Sequence, residues 1–335
     1  MRPRVALLIA LGIVGWRLAA HAADAPAETF GCEANPTGNP IGGGEGYQPI
    51  FTKGDPTATN AQEFLDALKR AKPGQVVFIP GHVDIDLTET KSFDLPAGVT
   101  IASTRGLAGS PGARLFTKRM ESFTWMRTAG DNVRVTGLRI EGPYADAPRI
   151  VPRPQCLSIR HYNVEIDNCD VSAFIAAIGV SSDALKVHIH HNYIHHCQRT
   201  GLGYGVSTAC SDTRVIANKF DYCRHHIASS GTPGASYEAA WNFVGPNANG
   251  HNFDVHGGAD RGDNTQIAGD WFHIHHNTFQ SRRPAVVIRG VASQGAHIHH
   301  NWLHSPVNNA VVFRAPSPGN KVYRNVYGPN KTLEE

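Results

Sequence analysis

Charged residues are scarce in this chain of 335 residues: Asp, Glu, Lys and Arg make up only 18%, and aromatic residues only 8%. Because 41% of the residues are hydrophobic, disorder is disfavoured, and the length allows a substantial core in one large or two ordinary domains. Net charge is small, with 31 basic against 28 acidic residues. Three of the basic residues lie in the first 22 positions, and without them the balance is even. This argues against a globally basic nucleic-acid binder.

Several motifs are missing. No Cys-x-x-Cys pair supports a thiolate zinc site or a redox motif, and there is no Gly-x-Ser-x-Gly, phosphate-binding loop or dinucleotide fingerprint. Residues 1–22 combine a basic start, a short apolar run and Ala20-His21-Ala22, which predicts a signal peptide cleaved before Ala23. No later stretch approaches the length of a transmembrane helix. We therefore expect a secreted or periplasmic protein, free of the membrane after cleavage, in an oxidising compartment where its six cysteines can pair.

One template recurs through the chain: apolar-x-apolar-x-x-Asn-x-apolar. It is written VHIHHNYI at 187–194, and it returns as FHIHHNTF at 272–279 and AHIHHNWL at 296–303. The positions in the Asn slot are 138, 169, 192, 218, 242, 277, 301 and 325. A period near 24 residues with alternating apolar residues predicts turns of a parallel β-helix. Asn suits the corner of each turn because it tolerates the left-handed region, and stacked Asn side chains can form an amide ladder.

The segments before the regular repeat have their own predicted roles. Residues 60–70 form an amphipathic pattern that predicts an N-terminal capping helix, since the end of a stack of repeats needs a cover. Residues 23–59 are rich in Gly, Pro and Asn and are predicted to wrap irregularly around the outside. The β-helix domain is expected to span 60–335.

These features together resemble the secreted right-handed parallel β-helix proteins. That superfamily includes pectate and alginate lyases, uronan epimerases and polygalacturonases. The resemblance covers about residues 60–330, and it implies an all-β, single-stranded, right-handed parallel β-helix. It also implies a carbohydrate-active enzyme that acts on an acidic polysaccharide, and we expect a monomer. Because one scaffold supports several chemistries, the activity must be argued from the residues.

The second strand of each predicted turn carries the candidate chemistry. Seven segments align there, beginning at residues 157, 178, 204, 226, 253, 286 and 311. Their fourth positions point outward and supply Arg160, Ser181, Ser207, Ser229, His256, Arg289 and Arg314. Other outward positions give His225, Asn252 and Asp254. The alignment places Tyr204 and His226 inward. A slip of one residue would exchange His225 and His226, so both remain candidates together with Arg224.

A patch of this composition suits β-elimination on a uronic-acid chain. The reaction needs a general base for the proton beside the carboxylate, and a cation or metal for the charge that develops. We expect the base to be His225 or His226, with Tyr237 as a second candidate and possible acid. His256 and Arg224 complete the expected catalytic group. The expected substrate contacts are Arg160, Asn252, Arg289, Arg314 and Arg261, most of them guanidinium groups that match a carboxylate.

Metal binding is a further expectation. Asp254 and His256 are candidate ligands for a divalent ion, although Asp254 could instead orient a histidine. The longest spacing, between Asn242 and Asn277, contains a loop whose acidic residues could hold Ca²⁺. These acidic residues are Asp260, Asp263 and Asp270.

Histidine is enriched, with 16 of the 19 lying between His188 and His304. Three triplets share their repeat positions: 188, 190 and 191; 273, 275 and 276; and 297, 299 and 300. Imidazole pairs at this spacing could hold Zn²⁺ or Cu²⁺. Because the triplets follow the repeat, we favour stacked rings beside the Asn corner. Cys197 and Cys223 also occupy equivalent positions on adjacent turns, which predicts a disulfide.

Other functions stay open. A uronan C5-epimerase shares the first proton abstraction with a lyase. A glycoside hydrolase needs paired carboxylates, and only Asp254 is evident. A non-catalytic glycan-binding or metal-binding periplasmic protein would show exposed aromatic platforms or a fully ligated metal, and aromatic residues are few.

Overall fold

The computed structural model describes residues 28–144, 152–198 and 201–333, so the expected signal peptide lies outside the described residues. The described chain is an all-β protein whose strands pair almost entirely in parallel. The chain visits three sheets, A, B and C, in rotation, and we call one passage through all three a coil. Each strand pairs with the equivalent strand of the next coil, so the coils stack along one axis. No helix in the described ranges is long and apolar enough to cross a membrane.

The three sheets contain ten, eleven and nine strands. Sheet A comprises Val76–Phe78, Thr100–Ala102, Arg134–Thr136, Tyr162–Asp167, Leu185–His190, Thr213–Ile216, Tyr237–Ala240, Trp271–His275, Gly295–His299 and Lys321–Tyr323. Sheet B comprises Asp84–Asp86, Arg114–Phe116, Arg139–Glu141, Asp170–Ser172, Tyr193–Cys197, Lys219–Cys223, Phe243–Val244, Thr278–Phe279, Trp302–Leu303, Val326–Tyr327 and the antiparallel Thr332–Leu333. Sheet C comprises Phe93–Leu95, Phe123–Thr128, Pro154–Ile159, Ala176–Val180, Tyr204–Thr208, His225–Ser229, Phe253–Val255, Val286–Ile288 and Val311–Phe313. The α-helices are Ala61–Arg70, Gly258–Arg261 and Val307–Ala310, and the 3₁₀ helices are Cys32–Ala34 and Leu107–Gly109.

The helix Ala61–Arg70 lies at the first coil. Asn60 begins it by accepting a hydrogen bond from the backbone N–H of Glu63 at 3.0 Å, as an N-cap residue does. Its apolar face is buried, and Phe64 packs edge-on against Phe93 at a ring distance of 5.6 Å. The helix therefore joins the apolar cluster that fills the interior of the coils.

A ladder of asparagine side chains runs along the corner between sheets A and B, which confirms the sequence prediction. Each Nδ2 donates to the Oδ1 of the next coil, at 2.9–3.1 Å, through Asn192, Asn218, Asn242, Asn277, Asn301 and Asn325. The residue with positive φ is the one before the Asn, such as His191 (53°), His276 (52°) and His300 (55°). The Asn itself was expected to take that conformation. Because its side chain points inward to the ladder, the preceding residue makes the corner.

Residues 28–59 run along the outside of the coils from the last toward the first. The N–H of Gly31 donates to the carbonyl of His300, and the N–H of Gly42 donates to that of Ala217. Further along, the Tyr47 hydroxyl donates to Asp167 at 2.8 Å. This segment therefore covers one corner of the stack and lies away from sheet C.

The predicted disulfide is not formed, although the two cysteines do lie opposite each other on adjacent strands as predicted. Cys197 and Cys223 are direct partners on adjacent strands of sheet B, yet all six cysteines are free and buried. Side chains stacked on parallel strands keep their β-carbons close to the strand spacing of about 4.8 Å. A disulfide needs a β-carbon separation of about 3.5–4.5 Å. The stacked geometry therefore brings the thiols into contact without the approach that a bond requires.

Candidate functional site

In several strands of sheet C two consecutive residues face the core, which interrupts the alternation of inward and outward side chains. The buried pairs include Gly205–Val206, His226–Ile227 and Asn252–Phe253. The residue before each pair then faces outward, and the Tyr204 ring stacks on the His225 ring at 5.8 Å and 9°. The expectation that Tyr204 points inward is therefore wrong.

The same shift moves two serines from their expected places. Ser207 pairs with Ala228, and Ala228 pairs with Asp254, so Ser207 lies in the outward column of Asp254. Ser229 pairs with Val255 and is 1% exposed, so it faces the interior and not the outer surface. The sequence alignment is one residue out of register at the 225–229 strand, where a slip had been foreseen, and two residues out at the 204–208 strand, where none had.

Asp254 is the centre of a charged cluster on the outer face of sheet C. Arg289 donates two hydrogen bonds to it, from Nε to Oδ1 at 2.9 Å and from Nη2 to Oδ2 at 2.7 Å. His251 Nδ1 lies 3.0 Å from Oδ1, and His256 Nε2 lies 3.1 Å from Oδ2. Arg289 also donates through Nη1 to Asp260 at 2.9 Å. We call the group His225, His251, Asp254, His256 and Arg289 the Asp254 cluster.

The carboxylate of Asp254 is ionised in spite of complete burial. Burial alone would raise its pKa, but hydrogen bonds from His251 and His256, together with the cationic Arg289, hold that pKa well below the usual range. Unlike the carboxylate, the two imidazoles are partly accessible to solvent: the His251 side chain is 28% exposed and the His256 side chain 27%. Each contacts Asp254 through one ring nitrogen, so Nε2 of His251 and Nδ1 of His256 remain for other contacts.

His225 is the buried imidazole of the cluster. Its Nδ1 lies 2.6 Å from the carbonyl oxygen of His251 and so donates to it. Its Nε2 lies 3.4 Å from Asp254 and makes no hydrogen bond within the described chain. Burial lowers the pKa of His225 to about 4, and the side chain is 1% exposed. His225 is therefore a neutral, covered group that supports the His251 backbone, which weakens its candidacy as the base.

His226 points into the interior, 5.8 Å from the Phe220 ring. Neither of its ring nitrogens has a hydrogen-bond partner among the described residues, and it is fully buried. It therefore cannot reach a substrate on the outer face. Burial lowers its pKa to about 3.

This burial predicts acid sensitivity. Because the pKa of His226 is lower in the folded state than in the unfolded chain, the unfolded chain binds the proton first as the pH falls below about 6.5. Stability should fall by up to about 1.4 kcal/mol per pH unit below that point from this residue alone. We expect His226→Leu to reduce the loss of unfolding free energy between pH 7 and pH 5 by about 2 kcal/mol, as measured by urea unfolding. An exposed control, His82→Ala, should keep the wild-type dependence. Equal pH dependence in His226→Leu and wild type would contradict this burial effect.

Two other predicted site residues lie away from the outer face. Tyr237 is in sheet A, fully buried against Phe272, and its hydroxyl has no partner among the described residues. Asn252 is buried and donates through Nδ2 to the carbonyl of Pro284 at 3.0 Å. Neither can touch a bound polymer in this arrangement, because each side chain is covered by the core.

The predicted arginines divide into two groups. Arg289 is occupied by two carboxylates, and Arg261 holds its own loop through backbone carbonyls, including that of Gly231 at 2.6 Å. Arg160 and Arg314 are exposed and follow strands of sheet C on either side of the Asp254 cluster. Arg224 is half-buried, and its Cγ packs against Gly250. Arg160 and Arg314 are therefore the two exposed arginines of this set.

Three groups in the described residues could hold a metal ion, and one of them includes Asp254. Its members are His225, His251 and Asp254, so His256, the predicted second ligand, is not among them. Both oxygens of Asp254 already accept hydrogen bonds from Arg289, so neither is left without an arginine contact for a cation. Asp260, Asp263 and Asp270 are not in any of these groups, and each accepts hydrogen bonds from different protein donors.

Sequence reasoning missed His251 and Tyr204 as outward members of the site. His251 precedes Asp254 by three residues in the same long insertion, and this proximity was the available signal. Tyr204 was displaced by the interrupted alternation, which nothing in its own segment indicates.

Comparison with known proteins supports the architecture. No protein-family model matches the sequence, and no curated protein is similar to it. A solved structure of an alginate lyase from Paenibacillus sp. str. FPU-7 superimposes with a TM-score of 0.60 at 16% sequence identity. The match covers 83% of this chain and 98% of that chain. At this level of identity the likeness is one of fold.

Proposed function

We propose that this protein is a polysaccharide lyase that cleaves a uronic-acid polymer by β-elimination at the Asp254 cluster. The observation that carries the proposal is a pair of partly exposed imidazoles, His251 and His256. Each contacts a different oxygen of one buried, ionised carboxylate. Paired titratable groups of this kind suit a reaction that removes one proton and delivers another.

The roles follow from the hydrogen bonds. Asp254 orients each ring and leaves one nitrogen of each imidazole available, as a carboxylate does in a catalytic triad. We assign His251, whose Nε2 is available, the removal of the proton beside the uronic carboxylate. His256, whose Nδ1 is available, delivers a proton to the departing sugar oxygen. Arg289 fixes Asp254 and balances its charge, so it acts as a positioning residue and does not bind the substrate.

The polymer lies along the outer face of sheet C. Arg160 follows a strand four positions from that of Asp254, about 19 Å away, and Arg314 follows a strand two positions away on the other side. Arg160 lines a cleft with Lys91 and Arg127. Exposed guanidinium groups at this spacing suit carboxylates that lie several sugar units apart on one chain. Alginate is the first substrate to test, because the protein of similar fold is an alginate lyase.

A hydrolase is less well supported by these contacts. Hydrolysis uses two carboxyl groups that face the glycosidic bond. Asp254 is fully buried, and Asp260, a neighbouring carboxylate outside the cluster, accepts from the same arginine. A C5-epimerase remains the second candidate, since it begins with the same proton abstraction.

Our proposal also covers the handedness of the coils, their N-terminal cap and the location of the protein. We take the coils to be a right-handed parallel β-helix, covered at its first coil by the helix Ala61–Arg70. We also take the protein to be exported by its N-terminal 22 residues. The burial of Phe64 against the first coils supports the cap.

The deciding measurement is ultraviolet absorbance of the mature protein with alginate, pectate, glucuronan and hyaluronan. We expect a rising signal from unsaturated uronate on one of these polymers. Replacing His251 or His256 with Gln should reduce the initial rate by about 10²–10⁴-fold, while His82→Ala should leave it unchanged.

Two results would count against a lyase. Activity retained in both glutamine variants would remove the Asp254 cluster as the site. No absorbance change, combined with altered C5 configuration by NMR, would establish the epimerase instead.

A further inference from the structure

The outer face of sheet A carries a second cluster, remote from the Asp254 cluster and unused by the proposed reaction. It lies where three consecutive strands of sheet A pair side by side: Tyr237–Ala240, Trp271–His275 and Gly295–His299. We propose that this cluster is a binding site for a divalent transition-metal ion, with Zn²⁺ as the expected occupant. The ligands are Glu238, His273, His275 and His299.

The distances fit one shared ion. Candidate ligand atoms of Glu238, His273 and His275 all lie within 4.8 Å of one another. His275 Nε2 lies 3.2 Å from Glu238 Oε1, and His299 Nε2 lies 2.8 Å from His273 Nε2. Ligand atoms around a tetrahedral Zn²⁺ lie about 3.3 Å apart. Zn²⁺ would replace these two hydrogen bonds, with the displaced ring protons moving to Nδ1 or to solvent, and small side-chain adjustments would then complete a four-ligand site.

Hydrogen bonds behind the rings orient the ligands. Glu28 lies 2.6 Å from His300 Nε2, so a neutral His300 donates there and accepts at Nδ1. His299 then donates from Nδ1 to His300 Nδ1 at 2.7 Å, which leaves the lone pair of its Nε2 facing the cluster. Metal-binding histidines are commonly fixed through their second nitrogen in this way. The corner histidines that follow the repeat thus act as supports for the ligands.

The carboxylate of Glu238 is fixed with one oxygen toward the cluster, where Oε1 lies 3.2 Å from His275 Nε2. Arg214 holds the other oxygen of Glu238 at 2.8 Å and leaves Oε1 toward the cluster.

A second group in sheet A has the same residue types but one imidazole fewer. A similar group, Glu165, His188 and His190, occupies earlier coils of the same sheet. The register partner of His190 in the next coil is Ile216, whereas that of His275 is His299. The earlier group therefore lacks the third imidazole, and only the later one offers three nitrogens and an oxygen.

The test is calorimetric titration of the chelator-treated, full-length protein with Zn²⁺, paired with the visible spectrum of the Co²⁺ form. We expect Zn²⁺ binding and tetrahedral Co²⁺ bands in the wild type, and His299→Gln should weaken Zn²⁺ binding at this site about 100-fold. His297→Gln is the matched control, because His297 is on the same strand but its ring lies 6.5 Å from His273. Its affinity should match the wild type.

Three outcomes would overturn the proposal. These are no Zn²⁺ binding, an equal loss in His297→Gln, or unchanged stoichiometry and affinity in His299→Gln. Far-UV circular dichroism of each variant separates loss of the site from loss of the fold. Lyase activity does not enter these readouts, so the metal site and the proposed function can fail separately.

Discussion

Asp254→Asn should lower turnover by about 10³–10⁴-fold while the protein remains folded. The amide keeps the shape of the carboxylate but removes the charge that holds His251 and His256. An amide can also donate a hydrogen bond, so either imidazole could be held in the wrong tautomer. Initial rates on the polymer identified by the absorbance assay would measure the effect, and this prediction rests on the proposed lyase activity.

The control for this variant is Asp260→Asn. Asp260 shares the Arg289 contact but touches neither imidazole in the described structure, so its loss should cost less than about tenfold. If Asp254→Asn kept more than a tenth of the wild-type rate, orientation of the imidazoles by Asp254 would be refuted. Thermal unfolding of both variants would show whether the uncompensated charge of Arg289 destabilises the fold.

Asn277→Ala should destabilise the protein by about 3–4 kcal/mol. The Asn277 amide donates to the carbonyls of Ala239 and His275 and to Asn301 Oδ1, and it accepts from the N–H and Nδ2 of Asn242. Truncation removes the acceptor of the buried Asn242 N–H and one hydrogen bond from each of the other groups, of which Asn301 Oδ1, Asn242 Nδ2 and the His275 carbonyl each keep a second partner. Each unsatisfied group costs about 1–3 kcal/mol, and partial relaxation reduces the sum.

Urea unfolding followed by tryptophan fluorescence would measure this loss. Asn309→Ala is the control, because its exposed side chain should contribute less than about 0.5 kcal/mol. Equal stability of the two variants would show that the ladder accompanies the corner without stabilising it.

Much of the site was readable from the sequence because it follows the repeat. Asp254, His256 and Arg289 align in outward columns of adjacent strands, and the structure places them in contact. The role of Arg289 was not readable. A guanidinium in an outward column looks the same whether it meets a substrate or a neighbouring carboxylate, and only the side-chain geometry separates the two.

The sequence by itself determined the all-β class, the period of the coils and the positions of the asparagine ladder, because each depends on residues repeated at fixed spacing. The tertiary structure decided which histidines meet Asp254. His226 points toward Phe220 in the core while the preceding His225 lies beside Asp254, and the long insertion returns His251 to the same carboxylate. Period-two alternation cannot reveal such an interruption, since neighbouring strands, and not the local segment, determine where a strand buries two residues in a row.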